Sequence, residues 1–217
     1  MIDSIDRYAS MFEQLDAKNE GAFVPFVMVG DPDIQTSVNI IKALVEGGAD
    51  GLELGFPYSD PIADGPTIQK ASIRALSNKI KTDDCFEIIR QVRETYADIP
   101  IGLLLYSNLI LKRSIEKFYQ DAAKAGVDSI LIADVPLREA DRFIAIAEQT
   151  GIKQILIAPP NASDETFAQI GKKSQGYTYL LGRAGVTGAE TAVTIPASEL
   201  IDKLTQYKVA PPLLGFG

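Results

Sequence analysis

Apolar residues gather into short runs that recur roughly every 25 residues. Runs at 22–29, 51–55, 99–106, 129–133, 154–158 and 177–181 read as strands, with a seventh at 212–217. They are nearly continuous in apolar residues instead of alternating, which predicts parallel strands covered on both faces. Amphipathic segments lie between them. Over 36–47, Val38, Ile41, Leu44 and Val45 share one helical face, and over 84–96 Phe86, Ile89, Val92 and Tyr96 do the same. Segments 114–125, 138–149, 163–172 and 197–206 follow that pattern. Additional helices are predicted at 4–16, ahead of the first strand, and at 67–77, inside the second connection.

Strand–helix alternation implies parallel strands joined by right-handed crossovers. Two architectures fit, an eight-stranded barrel and an open doubly wound sheet. The regular recurrence, with no Gly-x-Gly-x-x-Gly after the first strand, favours the barrel. A complete barrel takes about 250 residues. With 217 residues the expectation is a single barrel domain over 1–217 that carries an extra N-terminal helix and lacks its last strand–helix unit. Its open parallel edge would invite self-association.

Composition narrows the chemistry. The chain has no His and one Cys, which excludes His bases, His-paired nucleophiles and His- or thiolate-rich metal sites. Cys85, without a second thiol, is expected to pack inside a helix. With 21 Lys and Arg against 29 Asp and Glu, the net charge of −8 argues against nucleic acid or an anionic membrane as partner. The acidic start, Met1-Ile2-Asp3-Ser4-Ile5-Asp6, is unlike a signal peptide, and no apolar run is long enough to cross a bilayer, so a cytoplasmic protein is expected. Proton chemistry is left to carboxylates, Tyr or Lys.

Unusual residues follow the strands: Gly30-Asp31-Pro32, the loop 55–61, Ser107-Asn108, Asp134-Val135-Pro136, Pro159-Pro160-Asn161 and the segment 182–188. In either architecture that end of the sheet holds the site, although Gly, Asp and Pro also simply make turns. Glu53 stands apart as a charge inside an apolar strand. It faces either the barrel interior or the helix layer, both poor solvents for an ion. One reading is a strand-end side chain reaching solvent or an Arg; the other is a carboxyl whose raised pKa suits proton exchange near neutrality. Asp60 and Asp64 follow in a loop. Either could cap the helix beginning near Pro66, both could share acid and base roles with Glu53, or they could hold Mg²⁺. Three glycines within 182–188, beside Arg183, suit an anion. Gly215-Phe216-Gly217 is a second small-residue strand end. Tyr106 and Tyr179 are candidates for an aromatic wall or for core.

The run from Leu52 through Glu53, Gly55-Phe56-Pro57-Tyr58-Ser59-Asp60-Pro61 and Asp64-Gly65-Pro66 closely resembles the signature of the tryptophan synthase alpha subunit family. Phe23-Val24-Pro25-Phe26, Gly30-Asp31-Pro32, Ala133-Asp134-Val135-Pro136, 183–188 and Gly215-Phe216-Gly217 extend the resemblance, in order, along essentially the whole chain. It implies a TIM barrel with an extra N-terminal helix. It also implies retro-aldol cleavage of indole-3-glycerol phosphate to indole and glyceraldehyde 3-phosphate, without a cofactor or metal in this subunit. The implied partner is the pyridoxal-phosphate-dependent beta subunit, in an α2β2 complex. Carried over residue by residue, Glu53 is the proton shuttle, Asp64 holds the indole N–H, and Tyr179 positions substrate and Glu53. Phe26, Leu104, Ala133, Ile157 and Phe216 are implied indole walls, with Tyr106 and Thr187 at the rim. Gly188 and Gly217 match phosphate-contacting positions, and Pro57, Asp60, Asn108 and Pro136 fall on loops that meet the beta subunit. Gly182 departs from the Ser common in the family, and the family continues beyond Gly-Phe-Gly. Alternative readings are an inactive or partner-binding module of the same fold, or another phosphate-handling barrel enzyme.

Overall fold

The computed structural model describes residues 6–182 and 197–215. Its strands are β1 (Phe26–Met28), β2 (Leu52–Gly55), β3 (Ile101–Leu105), β4 (Ser129–Ile132), β5 (Lys153–Ala158), β6 (Thr178–Leu181) and β7 (Pro212–Gly215). All are parallel and stand in sequence order in one curled sheet, a half-barrel. Among the described residues no ladder joins β7 back to β1.

The helices are α1 (Arg7–Lys18), α2 (Ile34–Glu46), α3 (Pro66–Ser77), α4 (Thr82–Thr95), α5 (Ser107–Leu111), α6 (Ile115–Ala125), α7 (Asp141–Thr150), α8 (Asp164–Lys173) and α9 (Ala197–Gln206). Local chemistry sets their starts. Asp6 accepts the Ala9 N–H for α1, Asp33 the Thr36 N–H for α2, and Ser163 the Thr166 N–H for α8. Neither Asp60 nor Asp64 caps α3; Gly65 is its N-cap and Pro66 fills the first turn.

Three expectations shift. The run 22–29 gives only three strand residues, because Pro25 has no N–H for a ladder and Phe23 is 56% exposed. The pair Ser107-Asn108 opens a helix where a loop was expected. The Asp134 carboxylate, from the end of β4, accepts the Ser107 N–H and hydroxyl, each at 2.8 Å, and so caps α5 from a neighbouring strand. The segment 138–149 divides into a 3₁₀ turn, Leu137–Glu139, and α7.

The strands alternate faces even though their sequences do not. Leu52, Leu54, Ile101, Leu103, Leu105, Ile130 and Ile132 turn outward into a core shared with α2, α4, α6 and α7. A second outer core joins Leu156, Ala158 and Leu180 to α8 and α9. The third cluster is the barrel interior, where Leu131, Ile155, Tyr177 and Tyr179 meet Tyr8, Met11 and Leu15 of α1. Thus α1 plugs the lower end of the half-barrel. Cys85 is fully buried on α4, as expected.

Two side-chain networks close the structure. At the lower end, Asp128 accepts bonds from Arg7 (2.8 Å), Arg93 (2.7 Å) and the Ile101 N–H (2.8 Å). Along the wall, β4 and β5 share three ladder pairs, ending at Leu131 and Ile155. Gln154 bridges them, donating to Ile130 O at 2.9 Å while Tyr119 donates to its carbonyl. Beyond that ladder lies a cavity of about 490 Å³, bordered by Ala133, Phe143, Leu156, Ile157 and Leu181.

Candidate active site

Glu53 hangs inside the half-barrel. In register it stands between Phe26 and Gly102, and Gly102 in turn stands beside Ser129. The carboxyl is 7% exposed, and its Oε1 accepts the Tyr177 hydroxyl at 3.0 Å. No Arg or Lys is paired with it among the described residues. Burial pushes its pKa up to about 7, and the Tyr177 hydrogen bond pulls weakly the other way. The Tyr177 phenol is itself buried beside this carboxyl, which holds its pKa well above the usual value, so it stays a donor. Glu53 can therefore take or release a proton near neutral pH, the requirement for a general acid–base group.

Asp64 lies in the loop between β2 and α3, only 5% exposed. Burial raises its pKa, and the Tyr106 hydroxyl, bonded to its carboxylate, opposes that rise. Tyr106 also accepts the Ala63 N–H at 3.0 Å, so one phenol fixes two successive loop residues. The Tyr106 ring lies against Tyr58 at 5.3 Å between centroids, and Asn108 donates to the Tyr58 hydroxyl at 2.6 Å. Asp60 is exposed and takes the Ser59 hydroxyl. The three acids therefore point to three different partners. Among the described residues no group of three His, Cys, Asp or Glu side chains is arranged to hold a metal ion.

Of the remaining expected wall residues, Phe26, Leu104, Ile157 and Tyr179 turn to the inner face with Glu53. Phe26 lies so close over Gly55 that a β-carbon there would stand 2.5 Å from its ring. Leu104 and Ile157 pack half-buried on the interior cluster, and Tyr179 lies directly across Gly215. Ala133 and Ile157 also border the 490 Å³ cavity, whose lining includes neither Glu53 nor Asp64. Among the expected partner-loop residues Asp60, Asn108 and Pro136 are exposed, whereas Pro57 is buried. Arg183, Thr187, Gly188, Phe216 and Gly217 lie outside the described residues.

The sequence pattern did not single out Tyr177. Its signal is positional: it precedes Tyr179 by two, so on a strand both face the same way. Tyr8 and Ser129, whose hydroxyls bond at 2.7 Å beneath Glu53, carry no such signal.

Comparison with known proteins supplies the family. A model described as tryptophan synthase alpha chain matches residues 12–217. The tryptophan synthase alpha chain of Vibrio parahaemolyticus is 57% identical over 98% of this chain and 80% of that protein. The one from Cronobacter sakazakii is 54% identical over 98% and 79%. Among solved structures, the subunit alpha of Legionella pneumophila superposes with a TM-score of 0.86 at 32% identity, covering 99% of this chain and 79% of that one. A structure of the α2β2 tryptophan synthase complex of Pyrococcus furiosus gives 0.79 at 35% identity, covering 90% and 77%. An inward, protonatable Glu in a half-barrel of this topology and these matches agree: the chain belongs to the tryptophan synthase alpha chain family, the lyases of tryptophan biosynthesis that cleave indole-3-glycerol phosphate.

Proposed function

We propose that Glu53 and Asp64 divide the work of the retro-aldol cleavage. A proton adds to C3 of the indole ring, and the adjacent glycerol hydroxyl gives one up. The carbon–carbon bond then breaks, its electron pair returns to the ring, and the hydroxyl carbon becomes the aldehyde of glyceraldehyde 3-phosphate. Glu53 shuttles these protons. Asp64 holds the indole N–H and offsets the positive charge of the protonated ring. Phe26, Leu104, Ala133, Ile157 and Tyr179 wall the ring, Phe216 and Thr187 complete the enclosure, and Gly188 and Gly217 meet the phosphate.

The observation that carries this reading is a buried carboxyl that, among the described residues, takes one neutral donor, Tyr177, and no cation, with burial pushing its pKa up to about 7. A group so poised exchanges protons in both directions at physiological pH. On this reading the chain needs no cofactor of its own and works in the cytoplasm. Indole passes to a pyridoxal-phosphate-dependent beta subunit in an α2β2 complex. The exposed loop residues Asp60, Asn108 and Pro136 contact that subunit, with Pro57 stiffening the loop behind them.

Indole release from indole-3-glycerol phosphate, measured with beta subunit present, tests the assignment. Asp64→Asn is expected to lower kcat by about 10²-fold or more with the fold intact. Tyr106→Phe, which frees the Asp64 carboxylate from its phenol, should cost less. Near-parent turnover in a folded Asp64→Asn protein would remove Asp64 from the mechanism.

A further inference from the structure

We propose that Tyr8, on the N-terminal helix α1, is a positioning residue for Glu53 and acts through Tyr177. The inference rests on the assignment of Glu53 as the proton shuttle.

Tyr8 and Tyr177 are both fully buried side chains, and their rings pack at 5.3 Å between centroids, tilted by 53°. Tyr8 also lies against the backbone just before Tyr177: a β-carbon on Gly176 would stand 3.4 Å from its ring. Tyr8 thus covers both the ring and the main chain that aim the Tyr177 hydroxyl at Glu53 Oε1. Tyr8 is itself held by consecutive anchors. Its hydroxyl bonds Ser129 Oγ at 2.7 Å, and the preceding Arg7 pairs with Asp128. Gly102 makes the room, because a β-carbon there would lie 2.7 Å from Ser129 Oγ and 2.9 Å from the Tyr8 hydroxyl. Gly102 is the ladder neighbour of Glu53, so the bare position and the carboxyl belong to one layer.

Among the described residues, Tyr177 just before β6, Tyr179 on β6 and Tyr8 on α1 are the ionisable side chains gathered around Glu53. Phe26, Gly102 and Ser129 occupy the same layer on β1, β3 and β4. Below, Asp128 and Arg93 act on Tyr8, and Lys153 is paired with Asp6 at 2.8 Å. None of these lower charges bonds Glu53 directly, and because Tyr8 and Glu53 also interact electrostatically, the Tyr177→Phe background is what separates the path through Tyr177 from a direct one.

The test is a ¹³C NMR titration of the Glu53 carboxyl in the unliganded protein, with Tyr177→Phe as reference. Removing that donor from the charged form should move the titration up, by about half to one pH unit. Tyr8→Leu keeps the site dry but loses the ring, and should move the titration in the same direction by no more than Tyr177→Phe does. Tyr8→Phe, which keeps the ring, should restore most of the parent value. In the Tyr177→Phe background, Tyr8→Leu should add nothing. If Tyr8→Leu does not fold, Tyr8→Met is judged on the same criteria. A folded variant with an unmoved titration, or an equal shift in the Tyr177→Phe background, overturns the proposal. The readout needs no turnover, so an active Glu53→Gln protein would sink the shuttle assignment without deciding this coupling.

Discussion

Glu53→Gln is expected to lose about 10²–10⁴-fold in cleavage rate and yet be more stable than the parent above pH 7. Both effects come from one buried carboxyl. Gln keeps the volume and can still accept the Tyr177 hydroxyl, but it cannot exchange a proton. The stability effect follows from linkage. The Glu53 pKa rises from an ordinary 4.5 to about 7 on folding. Below 4.5 both states are protonated and burial is cheap. As pH climbs from 4.5 through 7, the unfolded chain ionises freely while the folded one resists, so stability is lost over that window. Above it, the folded protein holds a buried charge at a cost on the order of 3 kcal/mol. The substitution removes that cost. Denaturant unfolding at pH 5 and pH 8, with turnover on the same preparations, checks both halves. A variant that keeps its rate, or gains nothing at pH 8 relative to pH 5, contradicts the assignment. In the parent, the pH profile of kcat should break near 7.

Asp128→Ala carries the largest expected loss of stability, about 3–5 kcal/mol. Its carboxylate, 11% exposed, joins three pieces of the lower end: α1 through Arg7, α4 through Arg93, and β3 through the Ile101 N–H. Removing it leaves a half-buried guanidinium and a backbone donor unpaired. Arg93 is committed elsewhere too, donating to the carbonyls of Gly126, Ala97 and Ile99, and cannot swing out to water. Its pKa is already lowered by burial, which Asp128 opposes. Asp128→Asn, which keeps two acceptor lone pairs and the shape, should lose less than half as much. Equilibrium unfolding in urea reads both. A loss under about 1 kcal/mol for the Ala variant would mean that water replaces the carboxylate.

The strand–helix alternation was legible because burial imposes it at every element, whatever the partner. What the sequence withheld was direction. Apolar runs such as 101–105 look alike on both faces, so inward and outward residues could be sorted only once the ladders were known. Glu53 was visible because a charge stands out in such a run, although a strand-end side chain reaching solvent or an Arg fitted the sequence as well. Tyr177 was not, because a tyrosine beside an apolar strand fits core equally well. The Tyr106–Asp64 bond and the Asp134 cap on α5 were invisible for another reason: each joins segments far apart in the chain, and no local spacing encodes them. Resemblance to a family supplied the role of Asp64, which its loop setting alone would have left as a possible helix cap.

A seam also runs through the barrel wall between β4 and β5. Three residue pairs and the Gln154 bridge hold it, and the cavity lies just beyond. The outer packing parts along almost the same line, with one core around β1–β4 and another around β5, β6, α8 and α9. Local opening tends to follow the boundaries between packed clusters, so hydrogen-exchange protection is expected to differ on the two sides of this seam. Glu53 sits on one side of it and Tyr177 on the other. The Glu53–Tyr177 hydrogen bond therefore crosses the boundary between the two outer cores, and any local opening there is expected to break it.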